Sequence, residues 1–168
     1  MSEEIVNRVA SSKLVVIDLE DYYPKEKRVL FDIKDWLYEG LVLREKDFRT
    51  QVAGHDWSQY QDAYVALTCS TEAIVPLWAY MLLTVNMEPY AKKIVIGGFD
   101  ELETSIYETI IDHLDVEPFT DQPLIIKGCS NKPVPTSAYV LLSQKLKPVA
   151  RSIMFGEACS SVPLFKKK

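Results

Sequence analysis

The chain has 168 residues, of which 48% are apolar and 26% are charged, and its net charge is −5. This composition excludes global disorder, and the length suits one domain, residues 1–168, that buries roughly 70% of the surface of its unfolded chain. The acidic balance argues against a general binder of nucleic acid or anionic membranes, and three cysteines are too few for a disulfide scaffold.

The first third of the chain predicts a mixture of short elements. We expect a helix over residues 2–10, strands over 14–19, 29–33 and 41–43, and a helix over 44–53. Gly54 suits the residue that follows the last helix. The three strands either extend the main sheet or form a small antiparallel N-terminal extension of it.

The remaining two thirds predict a regular alternation of strands and helices. We expect strands over 63–68, 94–96, 124–126 and 153–155, and helices over 76–87, 100–114 and 137–146. Such alternation is typical of an α/β fold, here a three-layer sandwich with a mostly parallel sheet. The helix over 76–87 is apolar nearly all round, so we expect it to be deeply buried. No internal repeat is evident.

Targeting and membrane signals are absent from the sequence. The N-terminus has no basic region and no long apolar run, so no secretory signal is expected. The longest nearly apolar stretch, residues 73–85, is shorter than the roughly 20 residues that span a bilayer. We therefore expect a cytoplasmic protein with reduced thiols.

Each of the three cysteines follows a predicted strand. Cys69 comes directly after strand 63–68, and Cys129 and Cys159 follow the strands that end at residues 126 and 155. Because parallel strands place their carboxyl ends at one edge of a sheet, we expect the three thiols to share that edge. Thiolates favour zinc, iron–sulfur clusters or copper(I), so the pattern predicts a metal site that holds zinc or an iron–sulfur cluster. Cysteines are also small buried hydrophobic residues, so separate structural roles remain open.

A fourth ligand for this metal site is less clearly marked. His55 has the required chemistry, but the preceding helix returns the chain to the opposite edge of the sheet. It reaches the site only if the loop over residues 55–62 folds back over the strand ends, or if the helix over 44–53 is not a crossover. The carboxylates of Glu72, Asp100 and Glu157 follow strands at the expected edge and are alternatives.

Two other functions compete with metal binding, so whether the chain is an enzyme stays open. A thiol-dependent sulfur-transfer enzyme is one, because Cys69 and Cys129 precede predicted helices, whose N-termini lower the pKa of a thiol. The chain has no Cys-x-x-Cys pair, which excludes a thioredoxin-type couple. A non-catalytic binding or scaffold module with structural cysteines and an exposed apolar patch is the other. The oligomeric state is open, a homo-oligomer included.

Several segments resemble the bacterial domain-of-unknown-function family 2480. They are residues 32–37, 40–49, 55–57, 127–130 and 152–157, and the resemblance covers essentially the whole chain. It implies no activity. It does imply a link with iron–sulfur cluster assembly, because relatives tend to lie beside genes for that process. The resemblance thus implies iron–sulfur assembly proteins as partners and favours iron or sulfur handling over a purely structural zinc.

Overall fold

The computed structural model describes residues 14–128 and 131–168. Within them, seven strands and four α-helices follow one another along the chain. The strands are β1 (Val15–Ile17), β2 (Arg28–Asp32), β3 (Tyr64–Thr68), β4 (Lys93–Ile96), β5 (Pro123–Ile126), β6 (Ser152–Glu157) and β7 (Ser160–Lys166). The helices are α1 (Glu45–Gly54), α2 (Leu77–Met87), α3 (Phe99–Asp112) and α4 (Thr136–Leu146).

These residues form two compact units. Unit 1 consists of the described residues up to Tyr23 and from Tyr107 onwards, and unit 2 consists of Pro24–Ile106. The chain therefore leaves unit 1 after β1, builds unit 2, and returns to unit 1 partway along α3.

Unit 2 has a three-stranded parallel sheet in the order β2-β3-β4. Side chains alternate across a strand, so Phe31, Val65 and Leu67 lie on one face of this sheet. They form a core with Phe48 of α1 and Leu83 of α2, all of them buried. Both helices therefore pack on the same face, and β3 is buried on its opposite face as well.

Unit 1 has a four-stranded sheet in the order β1-β5-β6-β7. The first three strands are parallel, and β7 returns antiparallel to β6 as a hairpin. Ile17, Leu124 and Ile153 of the sheet form a core with Tyr107 of α3 and Leu142 of α4. Unit 1 thus repeats the packing of two helices on one face of a sheet and adds one strand at the sheet edge.

The two units share an internal repeat that the sequence analysis missed. Residues 48–98 align without a gap with residues 107–157, 59 positions further on, and 13 of these 51 positions are identical. Helices α2 and α4 both have 11 residues and both follow an extended proline, Pro76 or Pro135. The identical residues occur singly or in pairs along the alignment. The repeat therefore becomes evident only when the order and lengths of the helices and strands in the two units are compared. Residues 59 positions apart are called repeat equivalents below.

The first strand of each unit also ends in the same way. Asp18 follows β1 and Asp32 ends β2, and each caps a 3-10 helix by accepting a hydrogen bond from the backbone amide two residues later. Asp18 also accepts from Lys127 Nζ at 2.8 Å, whereas Asp32 accepts from the backbone amide and hydroxyl of Ser70. In both units this aspartate therefore accepts hydrogen bonds from a residue that follows the carboxyl end of the neighbouring strand.

The structure confirms the α/β class and the mostly parallel strand pairing. The strands are divided between two sheets, whereas the sequence predicted one sheet with helices on both faces. Residues 41–43 form no strand and contribute only an antiparallel bridge between Tyr38 and Val42. The antiparallel strand pair in the described residues lies instead at the C-terminal end, between β6 and β7. The helix predicted over residues 2–10 lies outside the described residues, and the single domain over residues 1–168 stays a prediction.

Candidate functional site

Helix α2 exposes an apolar face, although we expected deep burial all round. Its inner side chains, such as Ala79 and Leu83, are fully buried, but Leu77, Met81 and Val85 are 77%, 66% and 65% exposed. These three residues are four positions apart and form one stripe along the helix. None of the 11 residues of α2 is charged. The helix is therefore apolar towards solvent as well as towards the core.

The stripe continues into neighbouring segments of unit 2. Ile74, just before α2, is 91% exposed, and it lines an open concavity of about 540 Å³ with Leu41 and Val42 from the preceding turn. Leu41 and Val42 are themselves more than half exposed. We call the following six residues the apolar surface: Leu41, Val42, Ile74, Leu77, Met81 and Val85. Exposed apolar residues that cluster in this way are typical of protein–protein interaction sites.

Helix α4 of unit 1 shows what the same helix face looks like when it is more polar. The repeat equivalents of Leu77, Met81 and Val85 are Thr136, Val140 and Gln144. The outward face of the helix is thus partly polar in unit 1 and wholly apolar in unit 2. Both helices bury equivalent residues on the opposite face. Packing within the unit therefore does not account for the apolar stripe on α2.

Strand β4 is an edge of the unit 2 sheet. Among the described residues β4 pairs with β3 alone, whereas its repeat equivalent β6 pairs with β5 on one side and with β7 on the other. The backbone amide of Gly97 donates to the carbonyl of Leu67 in β3 at 2.9 Å. Because backbone groups alternate direction along a strand, those of Ile94 and Ile96 point away from β3 towards the outer edge.

In unit 1 this outer edge is covered by β7. Leu164 of β7 lines an apolar pocket of about 360 Å³ together with Val140 of α4 and Phe155 of β6. The repeat equivalents of the last two residues in unit 2 are Met81 and Ile96. They are 66% and 61% exposed, since no strand of unit 2 occupies the position of β7.

The described cysteines lie in different units. Cys69 follows β3 and packs, partly buried, against the core of unit 2. Cys159 lies exposed in the turn between β6 and β7 of unit 1. Cys129 is outside the described residues. A common edge for all strand ends requires one sheet, whereas Cys69 and Cys159 follow strands of two sheets.

No cluster of three or more His, Cys, Asp or Glu side chains suited to a metal ion occurs in residues 14–128 and 131–168. The site predicted from Cys69, Cys129 and Cys159 includes one residue outside these ranges and stays a prediction. Glu72 lines the concavity beside Ile74, Asp100 lies in the first turn of α3, and Glu157 ends β6. Within the described ranges, none of these carboxylates belongs to a group of three or more such side chains.

His55 lies at the end of α1 within an aromatic cluster of unit 2. Its ring packs against Trp36, Trp57 and Phe31, and its Nε2 is 2.7 Å from the hydroxyl of Tyr60. Burial lowers the pKa of His55 and raises the pKa of Tyr60 to about 12. The neutral imidazole thus serves the packing of this cluster, and one of its two nitrogens is engaged by Tyr60.

A search for membrane-spanning helices among the described residues finds none of sufficient length and apolarity. The cytoplasmic location stays a prediction. A family model with the description "Protein of unknown function (DUF2480)" matches residues 3–167. No curated protein and no solved structure matches the chain.

Proposed function

The chain belongs to the DUF2480 family, whose description names no activity, and we propose that it is a non-catalytic binding module that holds a protein partner on the apolar surface of unit 2. The observation that carries the proposal is the stripe of Leu77, Met81 and Val85 on a helix without a charged residue.

The hydrophobic effect supplies the driving force for such binding. Each square ångström of apolar surface removed from water contributes roughly 25 cal/mol, so the covering of several large side chains favours association. A helix face without charged residues also fits the core of a protein–protein interface, from which charged residues are depleted. In α4, by contrast, Thr136 and Gln144 stand in place of Leu77 and Val85, so the repeat supplies an internal reference for the face without a partner.

Site-specific photocrosslinking in living cells tests this function. A photoreactive amino acid replaces Val85 in one variant and its repeat equivalent, the exposed Gln144, in a control variant. We expect a discrete protein adduct from position 85, its loss when Met81→Glu is added, and no such adduct from position 144. Absence of an adduct at position 85, or an adduct that persists with Met81→Glu, would contradict the proposal.

A thiolate metal site is the second candidate function. What supports it is the placement of Cys69 directly after β3 and of Cys159 two residues after β6, together with the resemblance that implies iron–sulfur assembly proteins as partners. Cys69, Cys129 and Cys159 would bind zinc or an iron–sulfur cluster, with His55 or a carboxylate as the remaining ligand. Thiol-dependent sulfur transfer through the exposed Cys159 is the catalytic variant of this proposal.

Elemental analysis and a visible spectrum decide between these possibilities. The protein is purified without air beside a triple variant in which Cys69, Cys129 and Cys159 become serine. Stoichiometric zinc or iron that is lost in the variant supports the metal site. No metal in either sample contradicts it and leaves the binding module and the thiol-dependent enzyme as the remaining functions.

A further inference from the structure

We propose that the partner that covers Met81 and Val85 of the apolar surface is a second copy of this chain, and that two copies join edge to edge through antiparallel pairing of their β4 strands. This inference rests on the proposed function and names its partner. In this interface, β4 of one copy lies beside β4 of the other copy in the way that β7 lies beside β6 in unit 1.

The repeat shows the direction in which such a strand runs. In unit 1 the strand that completes this edge, β7, is antiparallel to β6. Two identical strands related by a two-fold axis across an edge are also antiparallel. A second β4 therefore has the same direction as the strand that the fold already accepts at this position.

The side chains of β4 fix the register of the pairing. Residues that face each other in an antiparallel pair lie on the same side of the sheet. Ile94 and Ile96 lie on the helix side of the sheet, and both point their backbone groups outwards. The register that pairs both of these residues sets Ile94 opposite Ile96 of the partner subunit and Val95 opposite Val95 of the partner subunit. Lys93 faces Gly97 of the partner subunit, so no like charges meet.

The hydrogen-bonding pattern agrees with this register. The outward backbone groups of Ile94 and Ile96 meet as hydrogen-bonded pairs, and Val95 stands at a position where no bonds cross. In unit 1 the repeat equivalent of Val95 is Met154, and it faces Pro163, which has no amide to donate. The β6–β7 hairpin therefore uses the same alternation that the joint requires.

The surface formed by α2 and β4 carries little charge, which favours a second copy of the chain as its partner although the whole chain is acidic. Each copy carries a net charge of −5, which opposes self-association. The surface that would be joined carries no acidic residue on α2 or β4, and its one charged side chain, Lys93, stands at the start of the strand. Met81 and Val85 of each copy would be covered as Leu164 covers the equivalent face of α4. A contact made by one four-residue strand and two helix side chains is smaller than a standard interface of roughly 800 Å² per partner, so we expect a concentration-dependent dimer.

Sedimentation equilibrium of the purified full chain, up to tens of micromolar, tests the dimer. We expect twice the chain mass of 19.2 kDa for the wild type. Ile96→Lys and Met81→Glu should give monomers with unchanged circular dichroism, because both side chains are exposed. The matched control is Val140→Glu, the repeat equivalent of Met81, and it should stay dimeric. A wild type that is monomeric throughout, or a dimer that survives Ile96→Lys, would overturn the inference.

Amide hydrogen exchange locates the joint. In the dimer the outward amide of Ile96 should exchange at least tenfold more slowly than in the Met81→Glu monomer. A dimer with equal exchange at Ile96 would place the contact elsewhere and overturn the β4 pairing. The crosslink at position 85 distinguishes the failure of the dimer from the failure of the binding module. If position 85 forms an adduct with a different protein and the purified chain is monomeric, the binding module stands and the dimer is rejected. Absence of both adduct and dimer rejects the two proposals together.

Discussion

Asp62 and Asp121 hold the same left-handed backbone conformation, with φ angles of 56° and 55°, at the same position of the two units. Each precedes the central parallel strand of its unit by two residues. The amide of Asp62 donates to the carbonyl of Tyr90 at 2.9 Å, and that of Asp121 donates to the carbonyl of Val149 at 2.8 Å. Tyr90 and Val149 are also repeat equivalents, so this corner is built in the same way twice.

The first prediction concerns the strain at this corner. Valine is disfavoured at positive φ, so Asp62→Val and Asp121→Val should each lower the free energy of unfolding by about 1–2 kcal/mol. Glycine tolerates the conformation, so Asp62→Gly and Asp121→Gly should change it by less than about 1 kcal/mol. Urea unfolding followed by circular dichroism measures all four variants. A loss at only one of the two valine variants would show that the corners are energetically different.

Local elements could be predicted well because their signals are local. The run that forms β3 is buried along most of its length, and α1 ends at Gly54, one residue beyond its predicted end. The proline before α2 and the glycine after β4 likewise delimit their elements. Such patterns depend on a few neighbouring residues, and tertiary packing did not override them.

The division into two sheets could not be predicted from these patterns. Strands β1 and β2 are close in sequence and have similar apolar patterns, yet β1 pairs with β5 and β2 pairs with β3. Periodicity gives the face that a strand buries, but it contains no information on the partner. The expectation of one common edge for Cys69 and Cys159 depended on a single sheet, and it shares this weakness.

The apolar surface was missed for a related reason. A helix that is apolar all round predicts burial on every side, but the pattern does not distinguish burial within the chain from a face left for a partner. The alignment of α2 with α4 contains the missing signal, because Thr136 and Gln144 stand where α2 has Leu77 and Val85. Recognition of the repeat would therefore have shown that this position faces outwards.

The second prediction concerns the ion pair between Arg28 and Glu103 of unit 2. Arg28 Nε lies 2.7 Å from Glu103 Oε1 and Nη2 lies 3.2 Å from Oε2, and both side chains are about nine-tenths buried. Removal of one partner leaves a buried charge, so Glu103→Ala should lower the free energy of unfolding by about 3–5 kcal/mol.

Glu45→Ala provides the matched control for the ion pair. Glu45 and Arg49 form a pair of similar length, 2.9 Å, but both side chains are more than half exposed. Its loss should cost at most about 0.5 kcal/mol. Equal losses of stability in Glu103→Ala and Glu45→Ala, measured by urea unfolding, would show that burial does not decide the strength of the pair.

The third prediction compares two glycines. Gly156 has a φ of 117°, and a Cβ there would lie 2.6 Å from the carbonyl oxygen of Ser160, so Gly156→Ala should lower the free energy of unfolding by about 2 kcal/mol or more. Gly54 ends α1 with open space around it, so Gly54→Ala should leave the stability unchanged or raise it by up to about 1 kcal/mol. Thermal unfolding measures both variants. A Gly156→Ala variant as stable as the wild type would mean that the β6–β7 hairpin adjusts without strain.

The fourth prediction is a pH dependence of stability that arises from His55. Burial lowers the pKa of His55 in the folded state, so the unfolded chain binds more protons between the two pKa values. The stability contribution is therefore complete above the unfolded pKa of about 6.5 and decreases as the pH falls below it. We expect the urea midpoint of the wild type to decline between about pH 7 and pH 5.

His55→Phe should remove this decline, because phenylalanine keeps a ring in the aromatic cluster and does not titrate. The chain has one other histidine, the exposed His113, and His113→Gln should retain the wild-type profile. A decline that persists in His55→Phe and disappears in His113→Gln would show that His55 does not cause the pH dependence. That result would contradict a neutral imidazole at His55 beside Tyr60.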